Sequence, residues 1–191
     1  SILIMMAICL ATMLLVIIST VGNGVIHLQK SQAAGSYGSN YGLFVSADGS
    51  QLKEVNRRAE IDVTGTMCTE GIIKGNEKGG FVCMDETARK MLPYNKEYEL
   101  KEGKYPEKMQ EIAAGRAFFR AMGYGDVKIG DTVTLDYRAG MQSEYKPEEF
   151  VVSGILYDRD EYTIEASYVA FGSQEFYDEH VAENDRQYNI Y

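Results

Sequence analysis

The first 29 residues contain no Asp, Glu, Lys or Arg, and the first formal charge in the chain is Lys30. A soluble domain seldom withholds charge from a whole terminus, so the sequence argues against a wholly soluble cytosolic protein. Tryptophan is absent, and proline occurs only as Pro93, Pro106 and Pro147. No proline-rich run divides the charged part. Cysteine occurs only as Cys9, Cys68 and Cys83. Three cysteines exclude a disulfide-dense secreted scaffold. Basic residues are fewer than acidic ones, 19 against 28. The resulting net charge of −9 repels phosphate backbones and argues against a nucleic-acid partner. Hydrophobic residues are not scarce, at 45% of 191, which argues against a disordered chain.

What fills the uncharged terminus is an apolar run. Residues 2–21 read ILIMMAICLATMLLVIISTV, in which only Thr12, Ser19 and Thr20 are not apolar. Twenty helical residues at about 1.5 Å each span about 30 Å, the thickness of a bilayer core. Ser and Thr hydroxyls return to their own helix backbone and do not spoil the span. Gly22 and Gly24 follow as a helix-ending signal. A cleaved signal peptide is the competing reading, but its apolar stretch runs only about 7–15 residues. Ala33-Ala34-Gly35 lies too far downstream to be a cleavage site directly after the run. A buried soluble helix would not lack charge all round. Cys9 lies inside the span and reads as a small apolar residue.

Between Lys30 and Asp48 there is again no charge. A flank poor in Lys and Arg suits the translocated side. The expected topology is a helix entering from the cytoplasm, with everything after about residue 28 outside. The chain begins with Ser rather than Met, so it is expected to be a piece of a longer protein. The division expected is a transmembrane helix and interface over 1–28 and an extracytoplasmic domain over 29–191.

The charged part reads as α+β, with short strands and three or four short helices. The stretch 31–42, SQAAGSYGSNYG, is either a stalk or the approach to a strand at Leu43-Phe44-Val45. Ser50 is expected to cap a helix to Arg58 with Leu52 and Val55 inward. Ile61, Val63 and Met67 begin a strand region. Ile72-Ile73, a Gly/Asn/Lys turn and Phe81-Val82 read as a hairpin. A short helix over 86–92 stops before Pro93. Ala117, Phe118, Ala121 and Met122 recur at helical spacing, with Gly123 as the stop. Val133, Leu135 and Tyr137 alternate onto one face of a strand. Strands are expected at 150–156 and 168–171, and a helix capped by Ser173 with Phe176 and Val181 inward. Residues 187–191 alternate like the start of a strand cut short.

Chemistry-bearing constellations are scarce. The two histidines, His27 and His180, neighbour no nucleophile signature and read as interfacial or surface residues. Gly123-Tyr124-Gly125 with Gly130 lacks the dinucleotide spacing, and no Walker A sequence occurs. Asp158-Arg159-Asp160-Glu161 is acidic, but lacks the glycine and terminal glutamate of a calcium loop and reads as a solvated loop. The chain is therefore expected to be no enzyme and to carry no cofactor or metal. Cys68 and Cys83 flank the hairpin. A two-residue turn at Gly75-Asn76 would set them face to face, and a disulfide there would stabilise by about 3 kcal/mol. A longer turn through Gly79 would shift the pairing and leave two buried thiols.

One set of segments carries a resemblance. Leu100-Lys101-Glu102-Gly103-Lys104-Tyr105-Pro106 leads into Gln110-Glu111-Ile112-Ala113. Lys128-Ile129-Gly130-Asp131-Thr132-Val133-Thr134-Leu135 and Glu149-Phe150-Val151-Val152-Ser153-Gly154-Ile155 follow in order. This order, after an N-terminal apolar helix, resembles the extracytoplasmic core domain of MacB/FtsX-like ABC-transporter permeases. Lys104 stands where that pattern has Arg, and Gln110 where it has Asn. The resemblance implies structural roles for Glu102, Gly103, Tyr105, Pro106, Glu111, Gly130, Asp131 and Gly154, and no catalytic residue. It further implies three return helices, a permease dimer in the lipid bilayer, and a separate cytoplasmic ABC ATPase as partner. An unidentified cargo or outside partner completes the expectation: export of a peptide, antibiotic or lipid, or signalling. The alternative from the residues themselves is a single-pass anchored binding or adhesion protein with a tyrosine-rich contact surface. A membrane-anchored enzyme is a third, opposed by the missing nucleophile and base.

Overall fold

The computed structural model describes residues 2–37, 42–91, 98–141, 143–158 and 167–191. They fall into two compact units, Ser1–Gly38 and Ser39–Tyr191.

The first unit is one helix, α1 (Ile2–Tyr37). Its segment Ile4–Gln29 is long and apolar enough to cross a membrane, and none of it is buried within the protein. Thr12 Oγ1 donates to Ile8 O at 3.0 Å, and Thr20 Oγ1 to Val16 O at 2.7 Å. These hydroxyls are satisfied inside their own helix, as the sequence suggested. Gly22 and Gly24 do not end it. Neither adopts the left-handed conformation of a helix stop. The Gln, Lys and Ala residues that follow favour continued helix. Residues 31–37, read as a stalk or the approach to a strand, are therefore helical.

The second unit is α+β. Its elements are β1 (Phe44–Ala47), α2 (Gly49–Val55), β2 (Thr66–Ile73), β3 (Gly80–Met84), α3 (Glu86–Met91), β4 (Leu100–Gly103), β5 (Glu111–Gly115), α4 (Arg116–Ala121), β6 (Thr132–Arg138), β7 (Lys146–Leu156), β8 (Val169–Phe171), α5 (Gln174–His180) and β9 (Tyr188–Ile190). The strands pair in the order β1-β9-β2-β3-β8-β5-β7-β4, while β6 bonds both β2 and β7. That bridge closes β2, β3, β8, β5, β7 and β6 into a ring, and β9-β1 and β4 continue off it. β3·β8 and β5·β7 are parallel and the remaining pairs antiparallel. The seam is short: Ile72 faces Arg138 and Ile73 faces Tyr137.

The ring encloses an apolar core. Val133, Leu135 and Tyr137 of β6 point inward in the expected alternation. They meet Phe81, Phe150, Ile112 and Phe176. Phe81 packs edge-on against Tyr137, Phe150 and Phe176, with centroids 5.9, 5.7 and 5.6 Å away. Edge-to-face contact aligns ring edges with electron-rich faces. α4 buries Phe118 and Phe119, not Ala121, because a helix of this length turns one narrow arc inward. Gly123, at φ +89°, stops it, and Tyr124 N donates back to Phe119 O at 2.9 Å.

Several local signals resolve differently from expectation. Asp48, not Ser50, caps α2: its carboxylate accepts from Ser50 N and Gln51 N at 2.8 Å, and Gln51 returns a bond to Asp48 N. Ile61 and Val63 lie outside any strand, between α2 and β2, which begins at Thr66. Strands β4 and β5 escaped periodicity. In β5, Ile112, Ala113, Ala114 and Gly115 are all buried, so no alternation exists to read. Ser173 caps α5 as expected, accepting from Phe176 N at 3.1 Å.

The β2–β3 connection spans 74–79 and is held by Asn76, which is 2% exposed. Its amide Nδ2 donates to Tyr168 O at 2.9 Å, and its Oδ1 accepts from Tyr168 N at 3.0 Å. The side chain thereby imitates a strand partner. Asn76→Ala is expected to strand the Tyr168 N–H, leave Tyr168 O only its bond from Gly80 N at 3.1 Å, and lower stability by about 2 kcal/mol, read by chemical denaturation. A loss indistinguishable from zero would mean that water replaces the amide.

Candidate functional site

The notable chemistry of the second unit sits where β2 meets β3, β6 and the start of α5. Cys68 faces Cys83 directly. The expected register is present, but the expected turn is not. The connection is longer than Gly75-Asn76, and a bulge between Thr69 and Gly71 absorbs the difference. Gly71 sits at φ +152°, where a Cβ would lie 2.4 Å from Arg138 O. Only glycine suits that point of the seam.

The bulge turns Glu70 wholly inward, to 0% exposure. Neither carboxyl oxygen receives a hydrogen bond among the described residues. The Gly172 N–H, which lies beside the carboxyl and eases its charge, is directed to Val82 O at 3.0 Å. The carboxyl lies flat on Gly172: a Cβ there would come 2.2 Å from Oε2 and 2.5 Å from Oε1. Burial, then the nearby Cys83 sulfur, push the Glu70 carboxyl well above the usual carboxylate range. Tyr137 donates its hydroxyl to Glu70 O at 2.6 Å, and burial followed by Glu70's charge pushes that phenol up.

Cys68 and Cys83 are free thiols, 2% and 5% exposed. The neighbouring Cys68 thiol, then burial, push the Cys83 thiol far above its ordinary range. The Cys83 thiol also donates to Gln174 Oε1 at 3.1 Å. Tyr177 of α5 packs over the pair.

Glu70 carries a pH signature. Below the ordinary glutamate value of about 4.3 the carboxyl is protonated in both folded and unfolded chains, and its contribution to stability is full. As pH rises, the unfolded chain loses this proton first, so stability falls by about 1.4 kcal/mol per pH unit until the folded carboxyl ionises. Glu70→Gln is expected to remove that slope. Denaturation midpoints of both proteins from acid to neutral pH check it. Parallel profiles would show that Glu70 titrates as an exposed acid does.

The segments that carry the permease resemblance come together around β4, β5 and β7. Gly103 pairs with Gly154. Gly103 holds φ +80°, and a Cβ on it would lie 2.3 Å from Ser153 O. A Cβ on Gly154 would lie 2.5 Å from Lys104 O. Ser153, which sequence reasoning passed over, binds Lys104 O and Ile112 O with its hydroxyl, both at 3.2 Å. Lys104 Nζ reaches Glu107 at 3.0 Å and Glu111 at 3.3 Å. Burial pushes the Glu111 carboxyl up, but the Glu107 and Lys108 N–H donors and Lys104 outweigh it and hold it below the ordinary range. Glu102 pairs with Arg116 at 3.2 Å. Tyr105 donates to Tyr98 O at 2.7 Å, and Pro106 is half-buried beside it. Gly130 holds φ +92° in a turn where Asp131 accepts from Lys128 N at 2.8 Å. These residues act as backbone joints and turn braces.

Three other expectations fall elsewhere. Asp158 accepts from Ala117 N at 2.8 Å, capping α4 from a distance; residues 159–161 lie outside the described residues. His180 is half-buried rather than at the surface, stacked on Phe176 with centroids 3.9 Å apart. His27 is exposed on α1. No group of three or more His, Cys, Asp or Glu among the described residues is arranged to hold a metal. Two open cavities flank the β1 edge. One of about 440 Å³ is bounded by Phe44, Val55, Ile61, Val63 and Tyr191, and one of about 770 Å³ by Thr69, Met141, Tyr177, His180 and Asn189.

No protein-family profile matches the chain, and no curated protein matches it. Among solved structures it is similar to one described as "a domain of a putative Permease protein from Porphyromonas gingivalis". The identity is 12% and the TM-score 0.39, over 76% of this chain and 62% of that one. The chain thus spans less than two thirds of that solved domain.

Proposed function

We propose that the chain is a segment of a MacB/FtsX-like ABC-transporter permease subunit, with α1 as a membrane helix and the Ser39–Tyr191 unit as its outside domain. One observation carries the reading: a span long and apolar enough to cross a membrane precedes, on one chain, an α+β unit bearing the ordered permease segments. In that reading ATP is hydrolysed by a separate cytoplasmic subunit. Motion of the membrane helices re-poses the outside domain, which exports a peptide, antibiotic or lipid, or signals to a partner outside. The subunit works as a dimer and performs no bond chemistry itself. The glycine joint at Gly103 and Gly154 supports such a role, since it couples strands without leaving room for substrate.

The single-pass binding reading is favoured by one feature. Edge strand β1 leaves Phe44 and Val45 exposed, at 51% and 67%, Phe44 lining the smaller cavity and Val45 the larger. Purifying the full-length gene product from native membranes after mild crosslinking separates the two. A co-purifying nucleotide-binding subunit, with further spans in the chain, is the expected result. A one-span product with no ATPase partner would overturn the permease reading.

A further inference from the structure

We propose that Cys68 and Cys83 are a disulfide-forming pair, closed by thiol–disulfide exchange before α5 docks over them. Two observations carry this. The residues are direct cross-strand partners. Opposed Cα atoms in an antiparallel pair lie about 4.5–5.5 Å apart, inside the roughly 4.4–6.8 Å window of a disulfide. The two side chains lie in one buried cluster with Tyr177. The Glu70 bulge is what delivers this register, since the longer 74–79 connection alone would slip the strands by one residue. One slipped residue would send the two sulfurs to opposite faces.

The second observation is the cover. Tyr177 packs on both cysteines, and Gln174 Oε1 accepts from the Cys83 thiol at 3.1 Å. A thiol buried this way stays protonated and unreactive, because the thiolate is the nucleophile. Exchange therefore belongs to the chain before α5 seats, or to moments when α5 lifts. One cysteine thiolate attacks a sulfur of an incoming protein or small-molecule disulfide and expels one thiol. The second cysteine then attacks the mixed disulfide and expels the other. One S–S bond forms in the protein, the oxidant's S–S bond is reduced to two thiols, and the two cysteine protons leave with them. After closure, Gln174 Oε1 loses its sulfur donor, and the covered bond is shielded from reductants.

The place where the oxidant is met rests on the extracytoplasmic reading above; the pairing does not. Two measurements keep these apart. Full-length protein is taken from native membranes with its free thiols blocked, then digested without reduction and mapped by mass spectrometry. Separately, the purified reduced protein is incubated with oxidised glutathione and mapped in the same way. A Cys68–Cys83 linked peptide from both is the expected result. Linkage with glutathione alone would support the pairing and overturn the outside placement. Alkylated Cys68 and Cys83 in both would overturn the pairing. Ser173→Ala, which removes the α5 cap, is expected to raise the rate of linkage by glutathione about fivefold. An unchanged rate would overturn α5 as the cover.

Discussion

Gly172→Ala is expected to destabilise the second unit by about 3 kcal/mol, and Glu70→Ala in the same chain to restore most of that loss. The added methyl would sit 2.2 Å from Glu70 Oε2, 2.5 Å from Oε1 and 2.6 Å from Cδ. Such a contact is cheap when the neighbour is a free side-chain end. Glu70 is not free: it is fully buried, and it leaves a bulge whose next residue, Gly71, has no room for a Cβ against Arg138 O and the Tyr137 ring. Its backbone carbonyl is held by the Tyr137 hydroxyl at 2.6 Å. Gly172 cannot retreat either, because its N–H holds Val82 O across the β3–β8 pair. Shortening residue 70 removes both the clash and a buried acid without a partner. The single changes are therefore strongly non-additive, with a coupling of about 0.5–3 kcal/mol expected for side chains in contact. Urea denaturation of the four proteins in detergent measures it. Additive losses would mean that the carboxyl finds another place and that Gly172 is small for some other reason.

The same corner shows what could be read in advance. β6 was legible because one face is core and the other solvent, so Val133, Leu135 and Tyr137 alternate with Thr132, Thr134 and Asp136. The Cys68–Cys83 register was legible for a reason that did not hold: a longer connection and a compensating bulge cancel. No local pattern announces that bulge. It places an acid where patterning demands an apolar residue, and its excuse is a glycine about a hundred residues onward. β5 was hidden because burial on both faces erases periodicity, and its Ala113 and Ala114 carry little strand preference. Gly22 and Gly24 misled because a glycine stops a helix only when the chain beyond is free to turn away, and the residues to Tyr37 prefer helix. Caps were read where the signal was single, at Ser173, and missed where Asp48 and Ser50 competed two residues apart. The segments that resemble the permease pattern stand out because Gly103, Gly130 and Gly154 are fixed by close backbone approach or positive φ, constraints that leave a mark in sequence.

Val16→Arg is expected to abolish membrane insertion of α1 and the function that depends on it, while leaving the Ser39–Tyr191 unit folded. Residue 16 lies near the middle of the apolar segment Ile4–Gln29. A charge at the centre of a span costs about 3 kcal/mol on insertion-derived scales. α1 offers no compensation: the first charge in the chain is Lys30, and no carboxylate precedes Asp48. Thr12 and Thr20, four residues to either side, already spend their hydroxyls on Ile8 O and Val16 O. Arg snorkelling would need to carry its guanidinium about 15 Å to an interface, farther than the side chain reaches. The two compact units make the second half of the expectation separate from the first, since the core around Phe81 and Phe176 is built from residues of the second unit. Carbonate extraction of membranes reports insertion, and limited proteolysis of the same sample reports the fold of the Ser39–Tyr191 unit. Val16→Leu controls for side-chain size. A Val16→Arg chain that stays in the membrane pellet after carbonate extraction would contradict α1 as a lipid-facing span.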